Sequence, residues 1–276
     1  MTVAEALREA TARLSKTSDT ARLDAELLMA HALGASRSAM LLRSMADPVP
    51  VSFEQLVLRR LTYEPVAYIV EETEFFGRKF MVNPAVLIPR GDSETVIEAA
   101  LESAQHEGRV LDLGTGSGAL LLTVLAERPG LEGVGIDASF DALQVAALNA
   151  AKLGVASRAR MLRRDWREAG WNDDLGQFDL VIANPPYVES NAGLEPDVRE
   201  FEPASALFAG LEGLDDYRTI IPQLPGLLSE SGVTVLEIGA DQGEKVAEIA
   251  QNAGFSAELR RDLAGRPRAL VLNQGN

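Results

Sequence analysis

Asn184-Pro185-Pro186-Tyr187 stands at the end of four apolar residues, Leu180 to Ala183. Two adjacent prolines neither continue a helix nor pair in a central strand. The backbone there is rigid and two N–H donors are missing. What remains is a small set of acceptors: the Asn184 side-chain oxygen and the Pro185 carbonyl. Such a surface suits a planar –NH2 group, which offers two donors, and Tyr187 adds an apolar face for that group to lie on. A planar nitrogen is a poor nucleophile because its lone pair is delocalised. Acceptors that hold both N–H groups stabilise positive charge developing on that nitrogen and aim it at an electrophile. Asn184, Pro185 and Tyr187 are therefore the candidate catalytic residues. Asn184, Pro185, Pro186 and Tyr187 form the candidate substrate clamp.

A second motif, LDLGTGSG at 111–118, sets Gly114, Gly116 and Gly118 around Thr115 and Ser117, two residues after Asp112. Three glycines in five positions let a backbone turn tightly and approach a ligand closely. The spacing is not the dinucleotide fingerprint GxGxxG, because the third glycine comes one residue early and Ala119 follows. GxGxG after an acidic residue is the form used by methyltransferases that take S-adenosyl-L-methionine. That ligand has no pyrophosphate, so the loop passes an amino-acid moiety and a ribose. Asp137 ends the next apolar run, GVGID, where a carboxylate suits both ribose hydroxyls; by itself it would read as a cap for the helix that follows. In RRDW, Asp165 or Trp166 borders the adenine, by hydrogen bond or by stacking. Neither His31 nor His106 lies near a motif, no His/Asp/Glu spacing suggests a metal, and there are no cysteines, which excludes thiolate chemistry and disulfides. The proton on the methylated nitrogen can leave after transfer, so no strong general base is required.

The elements that must position these residues differ along the chain. Residues 1–73 read as a small helical domain: Ala6, Leu7, Ala10 and Leu14 recur at helical spacing. Asp19 or Thr20 is the expected cap of the second helix and Ser52 of a later one. TEFFGRKFMVNPAVLIP alternates aromatic and β-branched residues around Gly77, which predicts a β-hairpin linker over 74–88. From 89 to 276 apolar strands alternate with helices, the pattern of an α/β, Rossmann-like parallel sheet covered on both faces. Ligands of such sheets bind beyond the carboxyl ends of the strands, where both motifs fall. The start of the chain mixes Glu and Arg into an amphipathic pattern unlike a secretory signal. No apolar run approaches the ~20 residues that span a bilayer. Of the formal charge of −15, residues 1–73 carry −2 and the motif-bearing remainder −13, a balance that disfavours a nucleic-acid partner.

These segments together resemble the peptide chain release factor N5-glutamine methyltransferases, a family of class I S-adenosylmethionine-dependent methyltransferases. The similarity runs through EPVAYIVEETEFFGRKFMVNPAVLIPR, LDLGTGSGAL, IANPPY, DVREFEPASALFAGLEGLDDYR, LEIGADQGEKV and RDLAGRPRALVLN. The resemblance implies a seven-stranded methyltransferase sheet, a helical substrate-recognition domain and a connecting hairpin. It implies methyl transfer from S-adenosyl-L-methionine to the side-chain amide nitrogen of the glutamine in the Gly-Gly-Gln loop of class 1 release factors, with S-adenosyl-L-homocysteine as product. It assigns the cofactor to Gly114, Thr115, Gly116, Ser117, Gly118, Asp137, Trp166 and Asn184. The partner implied is a release factor, met by a cytoplasmic monomer with no stable nucleic-acid or membrane contact. A DNA or RNA amino-methyltransferase, using the same clamp on a flipped base, is the competing reading. Members of the family usually carry Pro-Glu-Thr-Glu or Pro-Asp-Thr-Glu after IPR, whereas this chain has Gly91, Asp92, Ser93 and Glu94. The missing proline loosens the start of the next helix, which Ser93 can still cap. The acidic stretch VESNAGLEPDVREFEP after the clamp reads either as a solvated loop or as a lid.

Overall fold

Apolar residues at helical spacing build the first part of the chain, in a computed structural model that describes residues 1–275. Helix α1 (Val3–Leu14) opens on a capping box, in which the Thr2 hydroxyl accepts from the Glu5 N–H and the Glu5 carboxylate from the Thr2 N–H. It buries Val3, Ala6, Leu7, Ala10 and Leu14 in a core completed by α2 (Ala21–Ala32), α3 (Arg37–Arg43), α4 (Phe53–Leu61) and α5 (Val66–Val70). The caps expected at Asp19 or Thr20 and at Ser52 do not form, since no side chain caps α2 or α4. The Ser18 and Thr20 hydroxyls turn instead to Asp24, whose carboxylate also holds Arg60 at 2.8 Å in a buried ion pair. Donating to that carboxylate, neither hydroxyl caps the first turn of α2.

By its contacts the chain divides into residues 1–72 with 194–201, and residues 73–193 with 202–275. The second unit contains the hairpin. Its strands are β1 (Glu72–Phe75) and β2 (Arg78–Met81), shorter than the expected 74–88. The turn is two residues long, with Phe76 and Gly77 both at positive φ (49° and 68°), the geometry that suits the strand twist. Asn83-Pro84 ends the pairing, so 82–90 runs as an unpaired strap. Phe75 and Phe80 pack edge to face into the core of the second unit.

After a 3₁₀ turn at Gly91–Ser93, the chain alternates as expected: α6 (Glu94–Ser103), β3 (Glu107–Leu113), α7 (Ala119–Glu127), β4 (Gly130–Asp137), α8 (Phe140–Lys152), β5 (Ala159–Arg163) and β6 (Phe178–Ala183). Ser93 does not cap α6; it is buried, and its hydroxyl acts to lower the pKa of the Glu237 carboxyl. Then come α9 (Pro196–Phe201), which belongs to the first unit, α10 (Asp215–Ile220), α11 (Leu224–Leu227), β7 (Leu228–Glu237), α12 (Gly243–Asn252), β8 (Phe255–Arg261) and β9 (Pro267–Gln274).

The seven-stranded sheet has the order β5-β4-β3-β6-β7-β9-β8. It departs from an all-parallel reading in one strand: β9 runs antiparallel between β7 and β8. A short turn at 262–266 joins β8 to β9, and so short a connection cannot make a parallel crossover. Strand residues alternate between two cores. Leu111, Leu113, Val181 and Ala183 face one, with α10 and α12; Val110, Leu180 and Ile182 face the other, with α6 and α7. The chain leaves β3 toward β4 and β6 toward β7, in opposite directions, so a crevice opens beyond the ends of β3 and β6.

Candidate active site

Strand register brings the motifs together. Leu113 pairs with Ile136 on one side and with Ala183 on the other, and Ala183 pairs with Leu236. The next residue on each strand therefore makes a row across the carboxyl edge: Asp137, Gly114, Asn184, Glu237. At about 4.8 Å per strand the row spans about 15 Å.

The glycine loop is held from below and from the side. The Gly114 and Thr115 N–H groups both donate to the Ile136 carbonyl, and the Gly118 N–H to the Thr115 carbonyl at 2.7 Å. Gly114, Gly116 and Gly118 all have positive φ (75°, 55° and 81°), which other residues adopt only with strain. At Gly114 a Cβ would meet the Trp166 ring at 3.2 Å, so the glycine lets the indole lie against the loop. The Ser117 carbonyl accepts from the buried Asn149 amide at 2.8 Å, and the same amide pairs with both backbone groups of Met81, tying the loop to the hairpin.

Asp137 accepts from the Gly116 N–H at 3.0 Å and from the Ser139 N–H at 2.8 Å. Ser139, not Asp137, supplies the side-chain cap of α8, so Asp137 has one oxygen on the loop and one on the backbone before the helix. Burial raises its carboxyl above the usual range, against those two N–H bonds. Trp166 is 9% exposed, with its indole N–H donated to Asp216 at 2.9 Å.

These residues line one cavity of about 290 Å³, wholly within the second unit. Gly114 to Ser117, Asp137, Asp165, Trp166, Asn184 and Pro186 form its wall with the strap residues Val86, Leu87 and Pro89 and with Pro203, Ser205 and Ala206. Gly118 starts α7 at the base of the loop. The clamp residues divide. Asn184 and Pro186 are in the wall, and no described residue is hydrogen-bonded to the Asn184 amide. Pro185 is buried beside them, while Tyr187 is half-buried with its phenol on Glu237 at 3.3 Å. Glu202 secures the strap, accepting from the Ile88 N–H at 3.3 Å and from the Arg90 guanidinium.

Two acids that carried no role in the sequence reading are part of this site. Asp112 is 1% exposed and lies in the cavity wall. Its Oδ2 accepts from the Thr115 hydroxyl at 2.6 Å, and its Oδ1 has no partner among the described residues. Burial, with the Asp137 charge adding to it, pushes its carboxyl up to about 7. Glu237, also 1% exposed, is pushed up to about 7 by burial, with Ser93 and Arg268 acting the other way. The available signal was an acid inside an otherwise apolar strand, LDLG and VLEIG, since unpaired buried acids are rare. Among the described residues no group of His, Asp and Glu could hold a metal ion.

A seven-stranded sheet of this order, with a glycine loop at its switch point and an acid ending the next strand, defines a Rossmann-like methyltransferase domain. A methyltransferase from Pyrococcus furiosus has the same fold, with a TM-score of 0.55 at 15% identity over 82% of this chain and all of that one. Residues 5–70 match the family described as the PrmC N-terminal domain, and residues 92–201 the methyltransferase small domain. The release factor glutamine methyltransferase of Cereibacter sphaeroides is 43% identical over 97% of both chains, and that of Nitratidesulfovibrio vulgaris 41% identical over 95% of this chain and 92% of its own. The chain belongs to the release factor glutamine methyltransferase family.

Proposed function

We propose that this enzyme transfers a methyl group from S-adenosyl-L-methionine to the side-chain amide nitrogen of the glutamine in the Gly-Gly-Gln loop of a class 1 release factor. The observation that carries the reading is the row at the sheet edge, which sets the free amide of Asn184 beside the glycine loop in one cavity. The wall fits the cofactor. Its buried Asp112 has one oxygen without a partner among the described residues, which an ammonium group would satisfy. Gly114 to Gly118 would pass the amino-acid chain, Asp137 would accept from the ribose hydroxyls, and Trp166 would border the adenine.

S-adenosyl-L-methionine, when bound, supplies an electrophilic methyl carbon whose bond to sulfur breaks as the bond to nitrogen forms, leaving S-adenosyl-L-homocysteine. The protein's part is to hold the nitrogen. Asn184 and the Pro185 carbonyl accept its two N–H bonds, so the acceptors strengthen as positive charge grows there. Pro186 and Tyr187 close the planar group from its faces. The Tyr187 phenol is pushed well up by burial and by Glu237, so it stays protonated and is no base. The proton leaves to water after transfer. No metal takes part in this scheme. A release factor as substrate is consistent with an enzyme of the cytoplasm, and no helix among the described residues is long and apolar enough to cross a membrane. Residues 1–73 serve as the second surface for the release factor.

Mass spectrometry of a purified release factor, after incubation with enzyme and S-adenosyl-L-methionine, should show one added methyl on the loop glutamine. Label carried to DNA or RNA in a parallel reaction, with none on the factor, would overturn the reading.

A further inference from the structure

Tyr187 is fastened at both ends by one segment, the chain that leaves β7. Its phenol donates to Glu237 Oε1 at 3.3 Å, and its carbonyl accepts from Gln242 Nε2 at 3.0 Å. Each tether is itself fixed. Glu237 is buried, and its backbone carbonyl accepts from the Tyr217 phenol at 2.8 Å. Gln242 spends its whole amide here: Nε2 also donates to the Gly213 carbonyl at 3.1 Å, and Oε1 accepts from the Gly239 N–H at 3.0 Å. Gly213, at φ +67°, lies so close that a Cβ would land on the Tyr187 carbonyl oxygen. None of these bonds is needed to build the sheet, because β7 already pairs with β6 and β9.

We propose that Glu237 and Gln242 are positioning residues for methyl transfer, setting the tilt and depth of the Tyr187 ring against the amide that Asn184 holds. This rests on the function proposed above. A tyrosine tethered only at its backbone can swing about two side-chain torsions. The bond at the phenol removes that freedom, the bond at the carbonyl fixes the backbone that carries the ring, and the planar amide then meets a fixed surface. A misplacement of about 1 Å can cost about 10²-fold in rate, which is the scale on which such tethers act.

The test uses the full chain and six variants: Tyr187→Phe, Glu237→Met, the double variant of these two, Gln242→Met, Glu237→Gln and Asn184→Ala. Single-turnover methylation of an intact release factor is measured at saturating S-adenosyl-L-methionine. Calorimetry with S-adenosyl-L-homocysteine reports cofactor affinity, and thermal unfolding reports folding. Tyr187→Phe and Glu237→Met should each slow methylation ~10-fold and the double variant no more than either, since both remove the same bond. Gln242→Met should slow it with S-adenosyl-L-homocysteine affinity unchanged. Glu237→Gln keeps an acceptor for the phenol and should restore most of the rate. Multiplying effects in the double variant, or a rate loss matched by an equal loss of affinity, would overturn the proposal. Asn184→Ala separates the two levels. A wild-type rate there removes the clamp assigned to Asn184 and this inference together, whereas a wild-type enzyme that leaves the factor unmethylated removes the proposed function. A slow Asn184→Ala beside a wild-type Glu237→Met removes this inference alone.

Discussion

Asp112→Asn should stabilise the enzyme free of cofactor, and more so as the pH rises. The carboxyl sits at the end of β3 with one oxygen on Thr115 and the other without a partner, close to the Asp137 charge. In the unfolded chain it loses its proton near its ordinary 3.8, but in the folded protein it holds the proton to about 7. Between those values the folded state binds more protons than the unfolded one, so stability falls as pH rises through that window. Three pKa units at about 1.4 kcal/mol each set a ceiling of ~4 kcal/mol, and a fair expectation is ~2–4 kcal/mol. The asparagine keeps the shape and an acceptor for Thr115 but cannot ionise. Its advantage over the wild type should therefore be small near pH 4 and full by pH 8. Glu237, also pushed up, contributes a similar slope to both proteins, and this cancels in the difference. Both tryptophans, Trp166 and Trp171, lie in the second unit, so urea unfolding followed by tryptophan fluorescence reads the unit that matters. The same substitution should weaken S-adenosyl-L-homocysteine binding, because the ammonium loses its anion. A stability difference that stays flat from pH 4 to pH 8 would refute the reasoning.

Three further outcomes follow from single contacts. Asn184→Ala should cut single-turnover methylation ~10²–10³-fold, by analogy with the loss of one charge-stabilising group, while S-adenosyl-L-homocysteine affinity changes far less; Asn184→Asp keeps the acceptors and should retain much more activity than the alanine variant. Gly91→Pro should stabilise the protein by ~0.4–1 kcal/mol in urea unfolding, since Arg90 already has ψ 146°, a Cβ at 91 meets nothing within 4 Å, and no described group accepts from the Gly91 N–H. Gly114→Ala should lower stability by ~1–2 kcal/mol for its φ of +75° and should also reduce cofactor affinity, because the new methyl displaces the Trp166 ring; calorimetry and unfolding together separate these effects.

The strands, helices and both motifs were legible because their signals are local. A buried parallel strand is a short apolar run between turn residues, and β3, β4, β6 and β7 all read that way. A glycine triplet and a proline pair restrict the backbone wherever they occur, so the loop at 114–118 and the clamp at 184–187 could be assigned to strand ends before any pairing was known. The family resemblance supplied the count of seven strands and the substrate class. What stayed hidden depended on residues far apart in the chain. A capping serine and a serine buried by tertiary packing look alike, so Ser93 reads as a cap although it makes no cap bond and lies buried. The hairpin's length was set by the Asn83-Pro84 break and by the Asn149 amide, 68 positions beyond Met81. Asp112 and Glu237 are ordinary acids by type; only burial at the sheet edge raises their pKa values and leaves an oxygen on each without a partner among the described residues. Register is the deepest of these decisions. The sequence placed Asp137, Gly114, Asn184 and Glu237 each at the end of an apolar run, but their order in one row comes from parallel pairing across segments separated by up to 123 positions. Such pairing is chosen by the packing of both sheet faces at once, which no local window of sequence contains.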